Sequence, residues 1–169
     1  LIKTAKLYLN DTGLLSNVLG ADSRRLKRDG PLLGSLLENF VVMEMIKDAG
    51  WSDVRPSLYH YRTHSRLEVD LVLESPGGDI VGIEIKAAGS VNAADFRGLR
   101  SLQEASGERF VRGVVLYSGE NAVPFGERLQ AVRGPSSKER LNVSFVQVAH
   151  HALVTVGEPV GVTGAREFR

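Results

Sequence analysis

The chain has 169 residues, a formal net charge of +1 and a hydrophobic share of 43%, which is enough apolar material for one good core and unlike a disordered segment. A balance so close to zero gives no global pull toward nucleic acid or an anionic membrane, so either partner would need a local patch. The absence of cysteine excludes disulfides and thiolate metal sites, leaves oxygen and imidazole as metal donors, and fits a reducing cytoplasm.

No apolar run approaches the length of a membrane span and no basic-then-apolar leader opens the chain, so a cytoplasmic protein with no membrane partner is the expectation. The first residues, "LIKTAKLYLN", include no Met and begin in strand-like sequence, as expected of a fragment of a longer protein. Lys6 to Asn10 alternate in strand fashion, and Asp11 or Thr12 can then cap a short helix through Leu14, Leu15, Val18 and Leu19. The polar stretch that follows carries Arg24, Arg25, Lys27 and Arg28. These could meet phosphate, although a solvated loop or helix face is the commoner use of such a run.

Leu32 to Ala49 is the clearest helix, with Leu33, Leu36, Leu37, Phe40 and Val41 at helical spacing and Gly50 as a natural stop. Glu38 shares a stripe of that helix with Val42, Met45 and Ile46. Its carboxylate either points inward or stands at the boundary in water, and both readings stay open. Trp51 is expected to cover the helix end rather than to stack on a base.

Three strands come next, "SLYHYRT", "LEVDLVLE" and "IVGIEIKAA", separated by turns at "HSR" and "SPGGD", an antiparallel meander. Ser90 or Asn92 can then cap a helix that carries Phe96, Leu99 and Leu102 inward, with Arg97 and Arg100 on a solvated side. "RFVRGVVLYSG" reads as a buried strand between Gly107 and Gly119, and "NAVPFGERLQAV" as a last short strand or hairpin. No element can be placed in residues 134–169, and His150 and His151 there carry no functional weight. Strands, helix and strand in this order predict an α/β or α+β layering, of which α/β is the expectation.

The charges of the second and third strands define a candidate site. Alternation puts Val81, Ile83, Ile85 and Ala87 on one face of the third strand and Gly82, Glu84 and Lys86 on the other; the second strand splits into Leu67, Val69, Leu71 and Leu73 against Glu68, Asp70 and Val72. A turn centred on Gly77 sets Asp70 across from Glu84 and Glu68 across from Lys86, whereas a slip of one residue would oppose Asp70 to the packing face. Facing carboxylates repel, so something positive belongs between them: Lys86, or a hard divalent cation such as Mg²⁺. Asp70, Glu84 and the backbone carbonyl of Ile85 could ligate such an ion with Lys86 beside the attacking water, the equipment of phosphodiester hydrolysis. A salt-bridged cluster without metal is the plainer use of the same residues.

The segments "KLYLNDTGLL", "GSLLENFVVMEM", "YHYRTHSRLEVDLVLE", "GIEIKAAGSVNAADFRGLRSL", "GVVLYSGE" and "PFGERLQAV" resemble domain of unknown function family 4143 over roughly Lys3 to Val132. That family occurs C-terminal to predicted AAA-type ATPase cores, mostly in bacteria and archaea, and is thought to be similar to the PD-(D/E)XK, or restriction-endonuclease-like, fold. The resemblance implies such a core over residues 3–133, a central mixed sheet flanked by helices, and an ATPase domain upstream of Leu1. It also implies Mg²⁺- or Mn²⁺-dependent cleavage of DNA or RNA. Asp70 matches the acidic residue of the second core strand, Glu84 and Lys86 the E-x-K of the third, and Glu38 the helix acidic residue, while His60, Arg62 and Glu68 match positions that flank the site. Two departures stand out. No G-x-x-x-x-G-K-[ST] occurs, so no ATP site is expected in this chain, and "RGPSSKERLNV" follows the final strand where the family usually has a segment containing Pro and an aromatic. The alternative to a nuclease is a non-catalytic module that keeps the nuclease-like fold and docks an ATPase or another protein.

Overall fold

The computed structural model describes residues 5–134; the tail, with His150 and His151, lies outside the described residues. Three short-range signals start three helices. Asp11, Asp22 and Asp29 each accept the amide of the residue three positions on, capping α1 (Thr12–Val18), α2 (Ser23–Leu26) and α3 (Gly30–Trp51), and a carboxylate there also faces the positive end of the helix. The arginine-rich stretch becomes α2, where Arg25 bonds the Leu19 carbonyl and pairs with Asp29. Gly50 does not stop α3, which runs on through Trp51 to a Ser52 C-cap. Trp51 is 91% exposed and so does not cover the helix end.

The remaining elements are β1 (Ser57–Arg62), β2 (Glu68–Glu74), β3 (Ile80–Lys86), a 3₁₀ turn over Ala93–Phe96, α4 (Arg97–Ser106), β4 (Phe110–Tyr117), β5 (Val123–Gly126) and β6 (Leu129–Arg133). The strands form a six-stranded mixed sheet in the order β1-β2-β3-β4-β6-β5. The first three pair antiparallel, β3 with β4 and β4 with β6 parallel, and β5 with β6 antiparallel. Parallel β3 and β4 need a crossover, and α4 supplies it. The fold is therefore α/β, a mixed sheet flanked by helices, as expected. No helix among the described residues is long and apolar enough to cross a membrane.

Each face of the sheet has its own core. Val41, Val42 and Met45 of α3 pack on Leu71, Leu73, Val81, Ile83 and Ile85, and Phe96, Leu99 and Leu102 pack on Val69, Val72, Ile80 and Val115 on the opposite side. Two glycines let α4 sit close. A Cβ on Gly82 would come within 2.8 Å of Leu99 and Leu102, and one on Gly98 would lie 1.9 Å from the Glu68 carbonyl oxygen. The second face of β3 is thus packed, not free for chemistry over its whole length.

Two further expectations are corrected. Residues Lys6 to Asn10 form no strand. The backbone of Leu9 is satisfied by a side chain instead: its N–H donates to Asn39 Oδ1 at 2.8 Å and its carbonyl accepts from Asn39 Nδ2 at 3.0 Å. The even alternation of β2 also fails, because Tyr59 pairs with Val72 but Tyr61 with Val69, so Asp70 and Leu71 together oppose the single His60. This β-bulge turns Val69 over to the α4 side, with Val72, while Leu71 and Leu73 stay on the α3 side.

Candidate active site

The β2–β3 hairpin closes through Ser75–Asp79, where Ser75 N–H donates to the Asp79 carbonyl at 2.9 Å. Its register runs from Glu74↔Ile80 to Leu71↔Ile83, the alignment centred on Gly77. One step further the ladder ends. Asp70, lifted by the bulge, uses Oδ2 to accept the amide of Ile85 at 2.9 Å, so a carboxylate takes the place of a strand carbonyl. Strand β3 meanwhile continues against β4 to Lys86↔Tyr117. The two strands fork here, and the charged residues gather in the fork.

Asp70 Oδ1 lies 3.1 Å from Lys6 Nζ, which also bonds Glu38 Oε1 at 2.9 Å. The Tyr8 hydroxyl donates to the same Glu38 oxygen at 2.8 Å, so the carboxylate of Glu38 is directed toward the fork rather than to open solvent. Lys86 Nζ holds Glu84 Oε1 at 3.0 Å, while Glu84 Oε2 is buried with no hydrogen-bond partner among the described residues. Asp70, Glu84, Lys86 and Glu38 therefore collect in one region, but in two separate pairings. Lys86 neutralises Glu84, and a residue not singled out in the sequence, Lys6, neutralises Asp70 and Glu38.

The flanking residues divide. His60 lines a cavity of about 150 Å³ together with Lys6, Tyr8 and Asp70. Arg62 and Glu68 pair with each other at 3.0 Å across β1 and β2, so Glu68 is not the partner of Lys86. Arg97 and Arg100 bond the carbonyls of Ala94 and Ala93 in the preceding turn. Asn92, not Ser90, caps that turn, in a reciprocal box with Asp95.

Electrostatics follow from this burial. Desolvation first, then the charge of Asp70, push Glu84 up to about 7 from an ordinary 4.5, against the opposing pull of Lys86. Desolvation also raises Asp70, with Glu38 adding to the effect and Lys6 and the Ile85 amide opposing it. Burial alone would lower Lys6 and Lys86, but bonding to Glu38 and the charge of Asp70 raise Lys6, and Glu84 raises Lys86. The centre is short of positive charge where Glu84 Oε2 points. Among the described residues no three Asp, Glu, His or Cys side chains converge on one point, so a cation here would be held by Asp70, Glu84 and backbone or solvent oxygens, the donor type that hard divalent ions take. The unpartnered oxygen and the two desolvated carboxylates fit such an ion.

Lys6, Tyr8 and Asn39 are the residues that sequence reasoning missed. Their signals were faint: Lys6 and Tyr8 two positions apart in an extended stretch, and an Asn beside Glu38 inside an otherwise apolar helix.

The chain is 32% identical over 131 residues to the uncharacterized protein Rv2008c of Mycobacterium tuberculosis and to the uncharacterized protein Mb2031c of Mycobacterium bovis. The aligned part is 77% of this chain and 27% of each relative, so the chain spans about a quarter of their length. No solved structure matches it. Its residues 33–136, which hold α3 from Leu33 onward and the whole sheet, match the family described as domain of unknown function (DUF4143), and the chain belongs to that family.

Proposed function

We propose that this domain is a metal-dependent phosphodiesterase of the restriction-endonuclease-like kind, acting on DNA or RNA in the cytoplasm as part of a longer protein with an ATPase core upstream. The observation that carries the reading is the fork itself, where Asp70, Glu84 and Lys86 meet beside Glu38 and Glu84 keeps a buried oxygen unpartnered. Asp70, Glu84 and the Ile85 carbonyl would hold Mg²⁺ or Mn²⁺, which when bound acidifies a water and polarises a phosphoryl oxygen. The chain's own groups do the rest. The Ile85 amide fixes the rotamer of Asp70, Glu84 orients the Lys86 ammonium, and that ammonium offsets the charge that grows on the phosphoryl oxygens in the transition state. His60, in the lining of the adjoining cavity, would contact the substrate backbone.

The test is cleavage of plasmid DNA, single-stranded DNA and RNA in Mn²⁺ and in Mg²⁺. Wild type should cut at least one of them, and Lys86→Ala should lose about a hundredfold or more of that rate. One observation favours a second reading, a docking module: both lysines already neutralise the carboxylates they touch. No cleavage of any substrate, combined with a melting temperature indifferent to both ions, would favour it.

A further inference from the structure

Residues 5–10 cross the fork as a strap. Asn39, itself buried, fastens it by two bonds to the Leu9 backbone and donates a third to Thr12 Oγ1 of α1 at 2.8 Å. So fastened, the strap sets the Lys6 ammonium between a carboxylate of α3 and one of β2. With Lys6 on Oδ1 and the Ile85 amide on Oδ2, both oxygens of Asp70 are already engaged. A divalent ion on Asp70 would share a half-buried space with an ammonium, and like charges at such range in reduced dielectric repel strongly.

We infer that Lys6 is the resident counter-ion of the centre and that Lys6 and a divalent cation exclude one another at Asp70; this rests on the metal-centre reading above. The exchange disturbs little of the core. Leu7 is 93% exposed, so the strap buries no large apolar side chain at that position. The cavity of about 150 Å³ beside Lys6, walled by Tyr8, Val42, Tyr59 and His60, gives the displaced side chain space while Asn39 still holds Leu9. Lys6 thus maintains the charge balance of the metal-free form, and a metal takes over that part when it binds.

Two measurements on the full chain test this. The first is calorimetric titration of wild type, Lys6→Met and Lys47→Met with Mn²⁺. Lys6→Met should bind about tenfold more tightly or better, whereas Lys47→Met, which loses an exposed charge paired with Glu44, should change by less than about twofold. The second uses wild type alone and so does not depend on the variant folding: acetylation of lysines read by mass spectrometry should be slow at Lys6 without metal and rise severalfold in millimolar Mg²⁺, with Lys47 unmoved. Equal or weaker Mn²⁺ binding by a folded Lys6→Met, or Lys6 acetylation unchanged while wild type binds the ion, overturns the inference and leaves the metal reading standing. If neither protein binds Mn²⁺, the metal reading falls, and this inference with it.

Discussion

Glu84 shows how a single side chain can register the state of the whole centre. Held up at about 7 by burial and by Asp70, it binds its proton more tightly folded than unfolded. Its contribution to stability is therefore full below the unfolded value near 4.5 and lost as pH rises through the folded value. Glu84→Gln removes this dependence, so relative to wild type it should gain about 1–3 kcal/mol between about pH 5 and about pH 8 in metal-free buffer, measured by urea denaturation. A difference that does not vary with pH would mean that Lys86 already compensates the charge. Asp70, raised in the same direction, gives a companion test. Asn at that position can still accept the Ile85 amide, so Asp70→Asn should be at least as stable as wild type at neutral pH without metal, and Mn²⁺ should no longer raise its melting temperature. A loss of more than about 1 kcal/mol would show that the ion pair with Lys6 outweighs the cost of burying the charge.

At the scale of elements, the close approach of α4 to the sheet rests on Gly98 and Gly82, and their neighbours differ in kind. A methyl on Gly98 meets the backbone carbonyl of Glu68, whereas one on Gly82 meets the flexible ends of two leucines. Gly98→Ala should therefore cost about 3 kcal/mol or more and Gly82→Ala about 1–2 kcal/mol. The ranking is the content of the prediction, and equal denaturation midpoints would contradict it. The same comparison explains what the sequence could and could not reveal. The register of β2 on β3 was legible, because apolar alternation and a glycine-rich turn agree on one alignment. The bulge was not, since Asp70 and Leu71 opposing His60 is a two-against-one count that leaves no mark in either strand alone. The strap was misread as a strand for a related reason: its alternation is real, but the partner of Leu9 is a side chain of α3, and a local pattern does not say what answers a backbone N–H. Gly82, by contrast, was a readable sign that the second face of β3 is covered, being a glycine in the middle of an apolar strand.

For the molecule as a whole, the α/β layering could be read from the order of elements, but the gathering of Glu38, Asp70, Glu84 and Lys86 only in part, because the bulge and not strand alternation brings Asp70 to the α3 side beside Leu71. Their division into two ion pairs could not, because Lys6 stands 32 residues from Glu38 and 64 from Asp70, and no periodicity spans such distances. The family's matched stretch opens at Leu33, inside α3 and after Lys6, Tyr8 and the Asp29 cap. A fragment trimmed to those limits would keep every motif residue and yet lose the ammonium between Glu38 and Asp70, together with the first turn of the helix that carries Glu38. The two carboxylates would then face one another uncompensated, and the fragment would draw in whatever cation the buffer offers. The smallest piece that keeps the native charge pairing is thus longer than the stretch by which kinship is recognised, and a truncation series that stops at the matched limits would describe a different centre from the one in the intact chain.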